Sequence, residues 1–327
     1  MEIGVIGAGK VGKALVRGLL DAGYDVGGIA CGSAGSTGKA AAELGVPGMT
    51  PAEVLEHCGT VFLAVPDRSI RPVAEELAAG LDTGRKRLDA GIGPDIMVAE
   101  ATGLESGSGG MPEKKQDRPV PPEDVKTVFH CSGAAGTGEL EALAAAGCRC
   151  GSFHPLQSFA GGPASWQGVY VALDGGPAAV ETGEALARAL GSVPFTVPAE
   201  DRALYHAAAC VCSNYTVTLM TLAQKLMSRW TGSGPAGLQA LLPLLKGTVA
   251  NLERAGEAAS ALTGPIARGD GTTVEKHLAV LPPEFMALYR GLGLETVAIA
   301  PELDDVQRKR LALLLEGAEC LPLRKVQ

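Results

Sequence analysis

The chain has 327 residues, 46% of them hydrophobic, and its 36 acidic side chains outnumber 28 basic ones, for a formal net charge of -8. This length and apolar content allow a large buried core and suggest two domains. The sequence has no long basic stripe, so we expect no nucleic-acid partner. A first strand that starts at Glu2 leaves no room for a signal peptide, and no apolar run is long enough to span a bilayer. We therefore expect a cytoplasmic protein without membrane contact.

Residues 1–18 carry the strongest motif. A short apolar strand at 3–6 is followed by Gly7, Gly9 and Gly12, which form G-x-G-x-x-G where a helix must begin. The first glycine permits a tight turn, the second lets the backbone approach a pyrophosphate, and the third allows close packing of helix on strand. The motif predicts a dinucleotide site at the helix N-terminus. Its residues are Gly7, Ala8, Gly9, Lys10, Val11 and Gly12.

The end of the second predicted strand, 26–31, indicates which dinucleotide binds. A site for NAD usually places an acidic residue there, on the ribose 2′-hydroxyl, but this chain has Gly32 and Ser33. Without that carboxylate, and with nearby donors for a 2′-phosphate, we expect NADP to be preferred over NAD. These donors are Ser33, Ser36, Thr37 and Lys39. Ser33 or Ser36 is also a candidate N-cap of the next helix, and the two roles are compatible.

The third predicted strand, 60–65, ends in Val65, Pro66 and Asp67, which we expect at the cofactor edge of the sheet. We expect Asp67 to cap a helix at 69–79 rather than to act in catalysis. The segment 91–124 is rich in Gly, Pro, Ser and charge, which predicts a long mobile loop or lid.

Four more strands are predicted at 125–131, 149–154, 169–173 and 193–197. His130 and His154 lie near the ends of two of them, at the edge where such sheets bind ligands. The predicted fold is therefore α/β, with a doubly wound Rossmann sheet over residues 1–198. Strand patterns nearly vanish after it, which predicts an all-helical domain over 199–327 with further helices at 235–255, 272–281 and 301–316.

The segment 203–227 is apolar almost all round, as in a helix buried inside a domain or a dimer. Within it His206, Cys210 and Asn214 recur every four residues with Ser213 beside them, so one face carries polar groups. These side chains form either a hydrogen-bonded network in the interior or the wall of a pocket. Their position together on one face of the helix favours the pocket.

Arg268 lies in a glycine-flanked turn. It can clamp a substrate carboxylate or phosphate, or form an ion pair between domains. The cysteines are interpreted as reduced, buried apolar residues. Cys148 and Cys150 are expected on opposite faces of a strand, and Cys210 and Cys212 about 200° apart on a helix, so we expect no metal site.

Six strings spread over the chain carry a family resemblance: GVIGAGKVG, VFLAVPD, FHCSGA, FHPLQSF, LYHAAACVCSNY and LTGPIARGD. Together they resemble Rossmann-like proteins with a C-terminal domain of unknown function 2520. That family is similar to the coenzyme-F420-linked NADP oxidoreductases, ketopantoate reductase and pyrroline-5-carboxylate reductase. The resemblance implies an NADP-binding domain of about eight strands and a helical domain like the C-terminal one of 6-phosphogluconate dehydrogenase. It also implies a homodimer, with the site between the domains.

One departure concerns the proton donor. In the related β-hydroxyacid dehydrogenases, a helix lysine four residues before an asparagine donates the proton. If Asn214 is that asparagine, the lysine position is Cys210, a poor acid. His206, one turn earlier, is the nearest group with a suitable pKa.

The leading hypothesis is an NADPH-dependent reductase of a small C=O or C=N substrate. In it His206 or His154 supplies the proton, Asn214 and Ser132 orient the substrate, and Arg268 holds an anionic tail. A second hypothesis is hydride exchange between NADP and a deazaflavin such as F420, which needs no side-chain acid. A third is a sensor or scaffold that binds NADP without turnover.

Overall fold

The computed structural model describes residues 2–89, 125–160 and 165–317. The chain forms two compact units, Met1–Ser213 and Asn214–Gln327. The loop or lid predicted at 91–124 lies outside the described residues. The sheet ends at Thr196 and the first unit continues to Ser213. The domain boundary at Pro198 stays a prediction.

A seven-stranded sheet forms the centre of the first unit, in the order β2-β1-β3-β4-β5-β6-β7. Its strands are β1 (Ile3–Ile6), β2 (Val26–Ala30), β3 (Thr60–Leu63), β4 (Thr127–His130), β5 (Arg149–Pro155), β6 (Tyr170–Gly175) and β7 (Val193–Thr196). The first five are parallel, β6 is antiparallel to β5, and β7 is parallel to β6. The described residues thus contain the seven strands predicted from the sequence, one fewer than the eight that the resemblance implies.

Helices cover both faces of this sheet, as the predicted doubly wound α/β class requires. They are α1 (Lys10–Asp21), α2 (Ala34–Leu44), α3 (Pro51–His57), α4 (Asp67–Asp89), α5 (Glu141–Ala145) and α6 (Pro177–Ala189), and α7 (Arg202–Cys212) follows the last strand. On one face Phe62, Phe129 and Phe153 pack with ring centroids 5.2–6.0 Å apart. On the other face, Val61 and Leu63 pack in a second core. Because side chains alternate along β3, Phe62 belongs to one core, and Val61 and Leu63 belong to the core on the opposite face.

The strand register brings several strand ends to one edge. Ile6 pairs with Leu63, Leu63 with His130, and His130 with Ser152. Since β5 continues beyond this row, His154 lies two residues past Ser152 at the same edge. The glycine turn after β1 and both strand-end histidines therefore share the carboxyl edge, as predicted.

The described part of the second unit is all-helical, as predicted. It contains α8 (Asn214–Thr231), α9 (Gly234–Arg254), α10 (Gly271–Val280), α11 (Pro283–Ile299) and α12 (Asp305–Glu316). Helix α8 packs on α9, and α10, α11 and α12 share a small apolar core. Helix α11 was not predicted.

The single helix predicted over 203–227 is wrong. It is two helices, because α7 ends at Cys212 and α8 starts at Asn214. Ser and Asn side chains compete for backbone hydrogen bonds and favour helix ends, which accounts for a break there. The helices are also not buried within one chain: α8 has no buried residue, and Leu204 is 76% exposed.

Candidate active site

The turn between β1 and α1 has the backbone that its glycines predict. Gly7 has a φ of +111°, and a Cβ there would collide with the Ala64 carbonyl. A Cβ at Gly12 would collide with the Gly7 carbonyl, whereas one at Gly9 would meet nothing within 4 Å. Gly9 is the N-cap of α1, with no side-chain cap and no acidic residue in the first turn. The first N–H groups of α1, at Lys10 and Val11, have no partner within the helix, and the space beside Gly9 is open, which suits a phosphate.

A cavity of about 460 Å³ lies at the end of β2, and Ser33 and Thr37 line it. Ser33 caps α2 by accepting from Ser36 N at 3.3 Å, and its hydroxyl donates to Ser36 Oγ at 3.0 Å. Glu53, which was not predicted as a site residue, lines the same cavity from α3. Hydrogen bonds from Thr50 lower the pKa of Glu53, so its carboxylate stays ionised. The cavity therefore offers two hydroxyls on the α2 side and one carboxylate on the α3 side.

Val65 and Pro66 form the turn after β3, at the predicted edge. The prediction that Asp67 caps a helix from Ser69 is wrong, because α4 already begins at Asp67. Its exposed carboxylate lies in the first helical turn, where it interacts favourably with the N-terminal dipole.

His130 is a buried structural group. Its Nδ1 accepts from Ser132 N at 3.2 Å, so the ring proton lies on Nε2, which donates to Gly136 O at 3.1 Å. Burial, followed by the nearby Arg202 charge, lowers the pKa of His130 to about 4. The ring is therefore neutral at pH 7 and holds the turn after β4.

Three proton-bearing side chains meet over Gly133. The Tyr205 hydroxyl lies 2.7 Å from His154 Nδ1, and the rings of His154 and His206 have centroids 5.8 Å apart. A Cβ on Gly133 would lie 2.8 Å from His154 Nε2 and closer still to His206 Nδ1. Both nitrogens therefore border one point, which only a glycine leaves open. Tyr205 was missed by the sequence analysis.

The three groups differ electrostatically. Burial, followed by the charge of Arg202, lowers the pKa of His154 to about 4. Burial raises the pKa of Tyr205 to about 12. At pH 7 the phenol is therefore protonated and the His154 ring is neutral. When the phenol donates to Nδ1, the His154 proton lies on Nε2, directed at the point over Gly133.

Ser132 lies beside this cluster, but its polar atoms have other partners. The hydroxyl oxygen accepts from Ala135 N at 3.1 Å, and the carbonyl accepts from Arg202 Nη2 at 3.0 Å. Arg202 is 0% exposed. It lies at the start of α7, and no motif in the sequence marks it.

Two other predicted residues belong to the second unit. Asn214 is the first residue of α8, so the predicted stripe with His206 and Cys210 does not lie on one continuous helix. Arg268 is exposed in a turn between Gly264 and Gly269, both of which have positive φ. A role of Asn214 or Arg268 beside the histidines stays a prediction.

The expectation for Cys148 and Cys150 is wrong. Both pack against the same apolar core, because side chains two residues apart on a strand share a face. Among the described residues, no three His, Cys, Asp or Glu side chains are placed to hold a metal ion.

Two parts of the sequence match known protein families. Residues 2–88 match the family described as NADP oxidoreductase, coenzyme F420-dependent, and residues 169–296 match a domain of unknown function, DUF2520. The two matched ranges follow one another along the chain without overlap. These matches confirm the predicted resemblance: four of the six strings lie within them, and FHCSGA and FHPLQSF lie between them. No curated protein matches the sequence.

Three solved structures share the fold. A Bacteroides fragilis protein assigned as an NADP oxidoreductase is 19% identical, with a TM-score of 0.65 over 91% of this chain and 97% of that one. Streptococcus pyogenes 1-pyrroline-5-carboxylate reductase is 15% identical, with a TM-score of 0.55 over 95% and 98%. Plasmodium falciparum pyrroline carboxylate reductase, with NADP bound, is 11% identical, with a TM-score of 0.52 over 96% and 98%.

In the described ranges no helix has the length and apolar character that a membrane crossing requires.

Proposed function

We propose that this protein is an NADPH-dependent reductase of a small C=O or C=N substrate. The observation that carries the proposal is the meeting of His154, Tyr205 and His206 over Gly133, at the sheet edge that also bears the glycine turn. Proton-bearing groups at the ligand-binding edge of such a sheet suit a reaction in which hydride transfer is paired with proton transfer.

The residues present fit the cofactor. The open backbone at Gly9 suits the diphosphate, and Val65 and Pro66 border the same edge. Ser33 lines the cavity after β2, where a 2′-phosphate of NADP would bind, and its hydroxyl donates to Ser36 Oγ. The ionised Glu53 on the α3 side of this cavity opposes that phosphate. We still expect NADP to be preferred over NAD, because the end of β2, where NAD sites carry an acidic residue, has Gly32 and Ser33. When bound, NADPH supplies the hydride.

His206 is the proposed proton donor. Because His154 is neutral at pH 7, it serves better as a hydrogen-bond donor that orients and polarises the substrate than as an imidazolium acid. If Asn214 corresponds to the asparagine of the related dehydrogenases, the lysine position is Cys210, and His206 lies one turn before it on α7. We propose that Ser132 supports the turn that carries Gly133, that Asn214 orients the substrate and that Arg268 holds an anionic tail of the substrate.

The test follows NADPH absorbance with a panel of small oxo acids and cyclic imines. We expect turnover with at least one of them, and we expect His206→Gln to lower it about 100-fold while NADPH affinity and folding are kept. His154→Gln is the matched variant. Full turnover in His206→Gln with loss in His154→Gln would reassign the proton donor to His154.

The match of residues 2–88 to a coenzyme F420-dependent family supports a second candidate, hydride exchange between NADP and a deazaflavin. Such an exchange needs no side-chain acid. Turnover that needs the deazaflavin and survives in both histidine variants would favour it over the reductase.

A further inference from the structure

A row of polar side chains crosses three strands at the carboxyl edge. His130, Ser152 and Asp174 are register partners on β4, β5 and β6, so they share one face of the sheet. The neighbouring Phe129 and Phe153 point to the opposite core. Three adjacent polar groups inside a sheet are costly unless each finds a partner.

The row lies near a buried charge whose hydrogen bonds are incomplete. Arg202 uses Nη2 on the Ser132 carbonyl, but its Nε and Nη1 have no partner among the described residues. Ser152 Oγ and Asp174 Oδ2 are also buried without a partner there. The other Asp174 oxygen accepts from Gly175 N at 2.9 Å. Burial lowers the pKa of Arg202 and the Asp174 carboxylate opposes that change, although the two groups share no hydrogen bond.

We propose that ordered water bridges Arg202, Ser152 and Asp174, and that this water-bridged ion pair positions α7 over the strand ends. The bridging group must donate to Asp174 and accept from Arg202, and water does both, whereas an anion would be repelled by the carboxylate. Buried waters make about three hydrogen bonds to groups that otherwise lack partners, which matches this set.

The positioning role follows from where Arg202 is attached. It is the first residue of α7, and its bond to Ser132 ties that helix to the turn that carries Gly133. Tyr205 and His206 follow one turn later and meet His154 over Gly133. The role in catalysis rests on the proposed function, but the ion pair does not.

The charge of Arg202 also acts on the histidines. The titratable or charged groups that face His154 are Tyr205, His206 and Arg202 from α7, Asp67 from α4 and His130 from β4. Among them Arg202 lowers the pKa of His154 most, after burial itself. Removal of its charge should therefore raise that pKa.

The test titrates the histidines of the full chain by NMR, without substrate. In Arg202→Met we expect the His154 pKa to rise by about one pH unit. Arg188→Met, which removes an exposed arginine paired with Glu184, should leave it unchanged. A crystal structure should show water within hydrogen-bond distance of both Arg202 and Asp174.

A folding measurement covers the case in which Arg202→Met does not fold. The double variant Arg202→Met/Asp174→Asn should then fold better than the single one, because it leaves no unpaired buried charge. An unchanged His154 pKa in a folded Arg202→Met, a double variant no more stable than the single, or a direct Arg202–Asp174 contact without water would each overturn the proposal. None of these measurements depends on turnover, so failure of this proposal can be distinguished from failure of the proposed function.

Discussion

Gly133→Ala is the sharpest perturbation of the proposed site. The backbone at Gly133 lies outside the left-handed region, so alanine can keep its conformation. The new Cβ would lie 2.8 Å from His154 Nε2 and nearer to His206 Nδ1, whereas a relaxed contact is about 3.5 Å. One or both imidazoles must therefore retreat by roughly 1 Å. A displacement of about 1 Å at a reacting group costs about 100-fold in rate.

The assay compares turnover, NADPH affinity and urea unfolding in Gly133→Ala and Gly138→Ala. A Cβ on Gly138 would meet nothing within 4 Å, so that variant controls for the loss of a glycine in the same segment. We expect Gly133→Ala to lose about 100-fold in turnover, with a stability loss of about 1–3 kcal/mol from overpacking and with cofactor affinity kept. Wild-type turnover in Gly133→Ala would refute the reasoning that the two histidines act at this point.

Three further predictions address the cofactor and the assembly. Gly9→Asp should fold like the wild type, because the added side chain points into open space and Asp is a favoured N-cap. It should nevertheless weaken NADPH binding by about 100-fold, or about 2.7 kcal/mol, in a fluorescence titration. Unchanged affinity would show that the glycine triplet is only structural. The wild-type protein should bind NADP more tightly than NAD, and a tenfold preference for NAD would contradict the assignment. Ser33→Asp, which keeps a capping side chain, should weaken the binding of NADP at least about tenfold and leave the affinity for NAD unchanged. Light scattering should give a homodimer, because α8 has no buried side chain and Trp230 and Leu244 are 74% and 70% exposed; a 33.2 kDa monomer at micromolar concentration would count against it.

The sheet was predictable because its strands are short apolar runs bounded by turn residues. Local pattern was less reliable in the helices. Helix α11 was not predicted, and its Gly291 and Gly293 resemble turn residues. Gly293 instead lets α11 approach α12, since a Cβ there would lie 2.7 Å from a Leu315 methyl carbon. A tertiary contact decided its residue type, and the local sequence does not reveal such a contact.

The candidate site was only half predictable. His154 and His206 are recognisable because imidazoles beside strand ends and on an apolar helix are unusual. Tyr205 and Arg202 are not, because their roles arise from contacts with residues about fifty or seventy positions earlier. Helix periodicity likewise linked Asn214 to His206, but the break at Ser213 ends that register.

The most direct measurement of the central claim is the transfer of label from NADPH deuterated at C4 to a C=O or C=N substrate, read by mass spectrometry of the product. We expect one deuterium on the reduced carbon with the wild-type protein, and about 100-fold slower labelling with His206→Gln at equal NADPH occupancy. NADPH that binds tightly yet labels neither a substrate of the panel nor a deazaflavin would contradict the account and leave a protein that binds the cofactor without turnover.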